Sequence, residues 1–245
     1  MINTSGFLSV IDHGITVHWE DGPTLHKMVA QVRYRLSVDE DSPVENLRVG
    51  ASQRCADWDA DAEEAQCFMA ANADINAQWL WRKVGAGWTA MLVIRNSGEG
   101  DIFVDGLDII LIDAQRNGLF RLGATPDMWQ IHHATQELIV QPERVDHRHP
   151  PAVMFRALSD TAVLTIMDEA TDSDAPTEIA NATVAMKMMI HEDRFAKFDV
   201  IAEAIGTVLS PQAEIQSCKV WVVAGDDVAE LRQLTPPEQP PISNE

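Results

Sequence analysis

The chain has 245 residues, and 46% of them are hydrophobic, enough for a sizeable core. Its 38 acidic residues exceed its 18 basic ones, which gives a formal net charge of −20. Because a field of that sign repels phosphate groups, it argues against nucleic acid and anionic membrane surfaces as partners. No stretch approaches the roughly 18 apolar residues that a membrane-spanning helix requires.

The cysteines and the N-terminus indicate a compartment. Cys55, Cys67 and Cys218 are too few and too scattered for a disulfide framework, and an odd count is typical of reduced thiols. The first residues, MINTSGFLSVIDHG, have neither the basic start nor the apolar run of a signal peptide. These features predict a cytoplasmic protein whose thiols are reduced.

Alternation of apolar and polar residues predicts strands along most of the chain. In residues 27–39 one face of the predicted strand carries apolar residues and the other carries mostly polar ones, as in an antiparallel strand with one wet face: Met28, Ala30, Val32, Tyr34, Leu36 and Val38 against Lys27, Gln31, Arg33, Arg35, Ser37 and Asp39. The pattern recurs at 182–190 and 198–204, whereas the more continuous apolar runs at 88–96 and 107–113 predict central strands covered on both faces. Turn-forming residues separate these runs, and roughly a dozen candidate strands indicate a large two-sheet antiparallel β-sandwich.

Helical signals are few. The acidic segment 57–72 has the composition for a helical turn that its Asp and Asn residues cut short. The best helix start lies in GDDVAELRQL (225–234), where Asp227 is placed to cap and Glu230 to reach back. Prolines then dominate TPPEQPPISNE, so we expect an all-β domain over residues 1–234 and a proline-rich linker or tail over 235–245.

Half of the eight histidines lie between positions 132 and 149, which raises the question of a metal site. His132 and His133 are adjacent, so on a strand they lie on opposite faces. His147 and His149 have the spacing of ligands on one strand face, but two prolines follow at once, and an alanine and a valine occupy the positions of a cupin-type glutamate. We therefore predict no metal and no cofactor.

Motifs for other chemistry are missing from the sequence. There is no Gly-x-Ser-x-Gly elbow, and the glycines of NSGEGD (96–101) lack the lysine of a phosphate-binding loop. Trp79 and Trp81 share one strand face, where they form either a binding strip or, as we expect, part of the packing against the second sheet. On motifs alone the chain is a binding or structural β domain.

The second half carries a resemblance to a known family. The segments LSPQAEIQS (209–217) and VWVVAGDDVAELRQL (220–234), with the meander strands before them, resemble the end of the N-terminal β-supersandwich domain of glycoside hydrolase family 36, the α-galactosidase and raffinose-synthase-like group. Upstream, residues 88–113 are similar to that family's strand, Asn-x-Gly and strand segment. The resemblance extends over roughly residues 5–234 and implies a galactose-mutarotase-like supersandwich with a short C-terminal helix.

The resemblance also implies binding residues. In MWQIHHATQ, Trp129, His133 and Gln136 match the tryptophan, histidine and glutamine of a loop that walls the sugar cleft in family members. Glu137 and Leu138 stand where that loop has Ser-Trp, so its second aromatic residue is absent. An early-loop tryptophan also reaches the family's active site, and Trp58, amid the carboxylates of CADWDADAEE, is its counterpart here.

The implied function is that of a non-catalytic domain. The family's catalytic aspartates lie on a following (β/α)8 barrel, which needs about 250 further residues. The expected partners are therefore a galactoside-type carbohydrate, a catalytic barrel and, as an option, further copies of the chain in a homo-oligomer. Two alternatives stay open: a stand-alone carbohydrate-binding or oligomerisation module, and an aldose-mutarotase-like enzyme with His132 or His133 as acid and Glu137 or Glu143 as base.

Overall fold

A computed structural model describes residues 6–11, 14–19, 24–39, 41–55, 64–111, 129–134, 136–142, 152–158, 163–168, 182–187, 207–217 and 219–236. Strands and one short helix make up most of this part of the chain. In chain order they are β1 (Gly6–Ile11), β2 (Gly14–Trp19), β3 (Thr24–Arg35), β4 (Glu45–Val49), β5 (Ala65–Ala71), β6 (Ile75–Val84), β7 (Gly87–Asn96), β8 (Ile102–Leu111), β9 (Trp129–Ala134), β10 (Glu137–Pro142), β11 (Ala152–Ala157), β12 (Val163–Asp168), β13 (Ala182–Lys187), β14 (Thr207–Leu209), β15 (Glu214–Gln216), β16 (Val220–Gly225) and α1 (Val228–Gln233).

The strands form two antiparallel sheets, which confirms the predicted all-β sandwich. Sheet A has the order β5-β6-β7-β16-β11-β10-β9, with β15 also paired to β7. Sheet B has the order β1-β2-β3-β8-β13-β12, with β4 added to β3 and β14 to β8. β16, the last strand in the described part of the chain, lies in the middle of sheet A between β7 and β11, so it joins the two halves of that sheet.

Strand β3 shows how alternation places a strand on the core. Met28, Ala30, Val32 and Tyr34 are buried, while the polar residues between them are partly exposed, as predicted. The predicted strand was too long, however: β3 ends at Arg35, and both Leu36 and Val38 are 51% exposed in the following loop. The alternation of apolar and polar residues continues to Val38, but Arg35 is the last residue that pairs with a neighbouring strand. Pairing with a neighbour, and not alternation, decides where a strand ends.

The segment 57–72 differs from its prediction. Residues 65–71 form β5, whose ladder with β6 runs from the Ala65–Arg82 pair to the Ala71–Asn76 pair. The helical turn is therefore wrong for this half of the segment, because pairing with the tryptophan-bearing β6 outweighs a weak local preference. Residues 56–63 lie outside the described residues, as do 188–206, which contain the predicted strand 198–204.

The central core lies between the two sheets. Trp79, Trp81 and Trp88 of sheet A and Tyr34 of sheet B are among its largest fully buried side chains. The Trp79 and Trp81 rings meet edge to face with centroids 5.1 Å apart, which is a favourable aromatic geometry. The reading of these two residues as packing is therefore confirmed, and the sandwich is built around aromatic side chains.

A second apolar cluster lies on the outer face of sheet A, beneath α1. It consists of Ile139, Ala152, Met154, Trp221, Val223 and Leu231. Asp227 caps the helix, because its Oδ1 accepts a hydrogen bond from the Ala229 backbone N–H at 2.7 Å. The helix and its Asp227 cap confirm that part of the prediction, and the single buried residue of the helix, Leu231, completes the cluster.

The expectation of reduced thiols is wrong for two of the cysteines. Cys55 and Cys67 form a disulfide with a Cα–Cα separation of 5.5 Å, inside the usual range. Their separation of 12 residues gave no sign of contact, because the pairing depends on a chain reversal. Cys218 lies outside the described residues.

Candidate functional site

The β9–β10 hairpin carries three of the four predicted binding residues. Trp129 pairs with Pro142 at the open end of the hairpin, and His133 pairs with Leu138 near the turn. Gln136 belongs to the two-residue connection between Ala134 and Glu137. Since a strand rises about 3.3 Å per residue, Trp129 and His133 lie roughly 13 Å apart along β9. The structure brings His133 and Gln136 to one end of the hairpin and leaves Trp129 at the other.

The register of sheet A separates the two adjacent histidines. His133 falls in one row with Leu138 and Phe155, and Phe155 is fully buried in the core between the sheets. His132 falls in the row of Ile139 and Met154, which belong to the cluster on the outer face. The two positions therefore lie in rows on opposite faces of the sheet, as their adjacency predicts.

Gln136 is held in place through its backbone. Its carbonyl oxygen accepts a hydrogen bond from the Ala157 N–H at 2.8 Å, and the residue is half-buried. The turn of the β9–β10 hairpin is therefore tied to the end of β11. Trp58, the fourth predicted residue, lies outside the described residues.

Next to this turn, Glu137, Arg156 and Arg232 form a network of ion pairs that the sequence did not predict. We call this network the Glu137 clamp. Glu137 Oε2 is 2.7 Å from an Arg156 terminal nitrogen, and its Oε1 is 2.9 Å from Arg232 Nε. The Glu137 and Arg156 side chains are only 13% and 17% exposed, whereas Arg232 is 48% exposed. One carboxylate thus joins β10, β11 and α1.

Arg156 also binds the C-terminal end of α1. Its guanidinium donates to the carbonyl oxygen of Leu234 at 2.5 Å and to that of Arg232 at 3.1 Å. The last carbonyls of a helix have no partner within the helix, so a guanidinium placed there satisfies them and opposes the negative end of the helix dipole. The clamp therefore fixes the helix over the outer apolar cluster.

The clamp makes Glu137 a poor general base. Burial raises the pKa of its carboxyl group, but the hydrogen bonds and charges of Arg156 and Arg232 outweigh burial and lower the pKa below its ordinary value. A carboxylate with both oxygens occupied and a lowered pKa has little affinity for a substrate proton. This geometry argues against Glu137 as the base of a mutarotase-type reaction; Glu143 lies outside the described residues.

The tryptophans divide into two groups. Five of the seven, at positions 19, 79, 81, 88 and 221, are at most 4% exposed and serve the two apolar clusters. Trp58 lies outside the described residues, and Trp129 is placed by its backbone pairing with Pro142. The sequence alone did not identify these five as buried, since buried and exposed aromatic residues look alike within short strands.

The part of the chain that the structure describes contains neither a metal-binding cluster nor a membrane-spanning helix. Among those residues, no group of three or more His, Cys, Asp or Glu lies together in a way that would hold a metal ion. His147 and His149 lie outside these ranges. No helix in the described part of the chain is both long enough and apolar enough to cross a membrane.

Comparisons with known proteins identify the fold. No family model matches the sequence, and no curated protein matches it either. Among solved structures, a polysaccharide lyase is similar with a TM-score of 0.54 and 9% identity, over 94% of this chain and 34% of the lyase chain. The family 36 glycoside hydrolase α-galactosidase AgaB from Geobacillus stearothermophilus is similar with a TM-score of 0.45 and 10% identity, over 80% of this chain and 30% of the enzyme.

The chain spans about a third of the length of each of these two proteins. At such low identity the likeness to the lyase concerns the fold alone. The chain therefore has the two-sheet sandwich architecture that a carbohydrate-active enzyme contains as one part of a longer chain.

Proposed function

We propose that this chain is a carbohydrate-related, non-catalytic β-supersandwich domain of the kind that precedes the catalytic barrel in α-galactosidase-like glycoside hydrolases. The observation that carries the proposal is the shared fold, which extends over 94% of this chain and only 34% of a polysaccharide lyase. Residues 1–234 form the domain, and residues 235–245 are the linker to a partner (β/α)8 barrel.

The sugar ligand that we propose is of the galactoside type. Its terminal unit contacts the turn of the β9–β10 hairpin through His133 and Gln136 and stacks on Trp58, whereas Trp129, at the other end of the hairpin, stacks on a more distant unit of an oligosaccharide. The anchored backbone of Gln136 supports this assignment, because its bond to Ala157 fixes the turn before any ligand arrives. A pyranose offers an apolar face to an aromatic ring and hydroxyl groups to an amide, which suits these residue types.

Titration of the purified chain with galactose and with raffinose tests the ligand. Because five of the seven tryptophans are buried, we expect a change in tryptophan fluorescence to come from Trp58 or Trp129. Separate Trp58→Ala and Trp129→Ala variants identify which one responds. A chain that gives neither a fluorescence change nor binding heat with either sugar would contradict the proposed ligand.

Gln136→Ala tests the turn. We expect it to weaken sugar binding by about tenfold, equivalent to roughly 1.4 kcal/mol, through the loss of one hydrogen-bonding side chain. Gln216→Ala is the matched control, since Gln216 is an exposed glutamine on β15. Equal affinities of the two variants would remove Gln136 from the site.

The downstream coding sequence tests the barrel, and a continuation without one would contradict this part of the proposal. The stand-alone module is then the second candidate, with oligomer formation measured by light scattering.

An assay of α- to β-galactose interconversion tests mutarotase activity. We expect no rate that depends on Glu137 as the base, because both of its carboxylate oxygens bind arginines.

A further inference from the structure

The described part of the connection from β4 to β5, one of several crossings between the two sheets, is mostly exposed. After β4 in sheet B, the chain crosses to sheet A and lies along the free edge of β5. Of residues 51–54 only Ala51 is buried, and Ser52, Gln53 and Arg54 are exposed. The exposed polar residues 52–54 bury little apolar surface that would keep this described segment on the sheet.

Residues 53–55 nevertheless act as a short additional strand. The Cys55 N–H donates to the Cys67 carbonyl oxygen at 3.1 Å, and the Met69 N–H donates to that of Gln53 at 2.8 Å. Arg54 and Phe68 form an antiparallel bridge between them. This pairing occupies the middle of β5, the strand at one end of sheet A, whose edge would otherwise present unpaired backbone groups.

The Cys55–Cys67 bond joins this added strand to β5 within the same ladder. Cys67 is 3% exposed and Cys55 is half-buried, so the bond is set into the sheet and not at a loop tip. A covalent link between residues 12 apart in sequence limits the freedom of the unfolded chain and keeps the two hydrogen bonds together.

From these observations we propose that the Cys55–Cys67 disulfide is a permanent staple of the sheet-to-sheet crossing, and that the domain matures in an oxidising compartment. Two thiols lose two protons and two electrons to an external disulfide, such as oxidised glutathione or a disulfide oxidoreductase, which leaves as two thiols. In a cytoplasm the thiol pool drives this exchange in reverse. The cysteine count predicted a cytoplasmic location on the assumption of reduced thiols, and this disulfide removes that assumption. The proposal does not depend on the proposed sugar-binding function.

Counting thiols provides a test that does not require a folded variant. The chain is produced both in the cytoplasm and by secretion into an oxidising compartment, and is denatured without reductant. We expect one reactive thiol per chain, from Cys218, in the secreted protein, and three both in the cytoplasmic protein and in the secreted protein after reduction. Three thiols in the unreduced secreted protein would overturn the proposal.

The role of the bond as a staple is tested on the folded protein. A Cys55→Ser/Cys67→Ser variant is compared with Cys218→Ser, which keeps the disulfide, and we expect the double variant to melt about 5 to 10 °C lower. Reduction should speed hydrogen exchange at the Cys55 and Met69 amides at least about tenfold and leave the Ala157 amide unchanged. Unchanged exchange at Cys55 and Met69, or equal melting of the two variants, would show that the crossing does not depend on the bond.

Discussion

The two end regions of sheet A are fastened by different chemistry. At the β5 end, a covalent bond from Cys55 to Cys67 holds a short polar strand on the sheet edge. At the β9–β10 end, the Glu137 clamp holds α1 on the outer face through ion pairs with Arg156 and Arg232. A reductant breaks the disulfide and acid protonates the Glu137 carboxylate, so each attachment can be broken without the other.

The difference reflects what each end has to hold. Helix α1 covers an apolar cluster, so burial contributes to its docking and the charges fix its position. The segment 53–55 covers no comparable cluster and has only two backbone hydrogen bonds, each contributing about 1 kcal/mol net. A cross-link is the stronger device where there is little surface to bury.

Breaking both attachments together should give the largest effect. A Cys55→Ser/Cys67→Ser/Glu137→Gln variant is expected to lose about 5 kcal/mol in the free energy of unfolding, roughly 3 from the staple and 2 from the clamp. The two attachments are five strands apart, about 24 Å, so their effects should add within about 0.5 kcal/mol. Urea unfolding of the wild type, the Cys55→Ser/Cys67→Ser variant, the Glu137→Gln variant and the combined variant measures the four free energies of unfolding. A loss in the combined variant that clearly differs from the sum of the separate losses would show that the two ends are coupled.

Removing the clamp alone should cost less. Glu137→Gln leaves the poorly exposed Arg156 without its anion, and we expect a loss of about 2 kcal/mol. Glu99→Gln, at an exposed acidic residue after β7, is the matched control and should change stability by less than about 0.5 kcal/mol. If the two variants unfold at the same urea concentration, the clamp does not stabilise the fold.

Acid should weaken the clamp and leave the staple unaffected. The pKa of Glu137 is lowered in the folded state from its ordinary value of 4.5, so its contribution is present above that value and is lost as the pH falls through the folded pKa. We expect the wild type to lose more stability than Glu137→Gln between about pH 5 and pH 2. Parallel curves for the two proteins would contradict the ion pairing.

The outer arginine of the clamp should contribute least. Arg232 is 48% exposed, so solvent screens its ion pair, and Arg232→Met should cost about 0.5 kcal/mol. Arg156→Met removes the better buried partner together with two bonds to helix carbonyls, and should cost more. A larger loss from Arg232→Met than from Arg156→Met would reverse the ranking of the two ion pairs.

Much of the secondary structure could be predicted from the sequence. Alternation in β3, the continuous apolar run of β7 and the Asp227 cap are local patterns with a direct physical cause, and the structure contains all three elements. The errors at Leu36 and Val38 and in β5 occurred where local preference was weak and a pairing partner was decisive. For the candidate site, the sequence supplied residue types, but the register separated Trp129 from the turn that carries Gln136.

Composition and local periodicity determined that this chain forms strands, buries one face of β3 and forms a capped helix at Val228–Gln233, because those properties depend on neighbours within a few residues. Tertiary structure decided which strands share a sheet, that Cys55 meets Cys67, and that Glu137 meets Arg232 across 95 residues of sequence. These contacts depend on the order and register of strands distant in the chain, and single residues such as Glu137 and Arg232 carry no mark of the partner that the fold assigns to them.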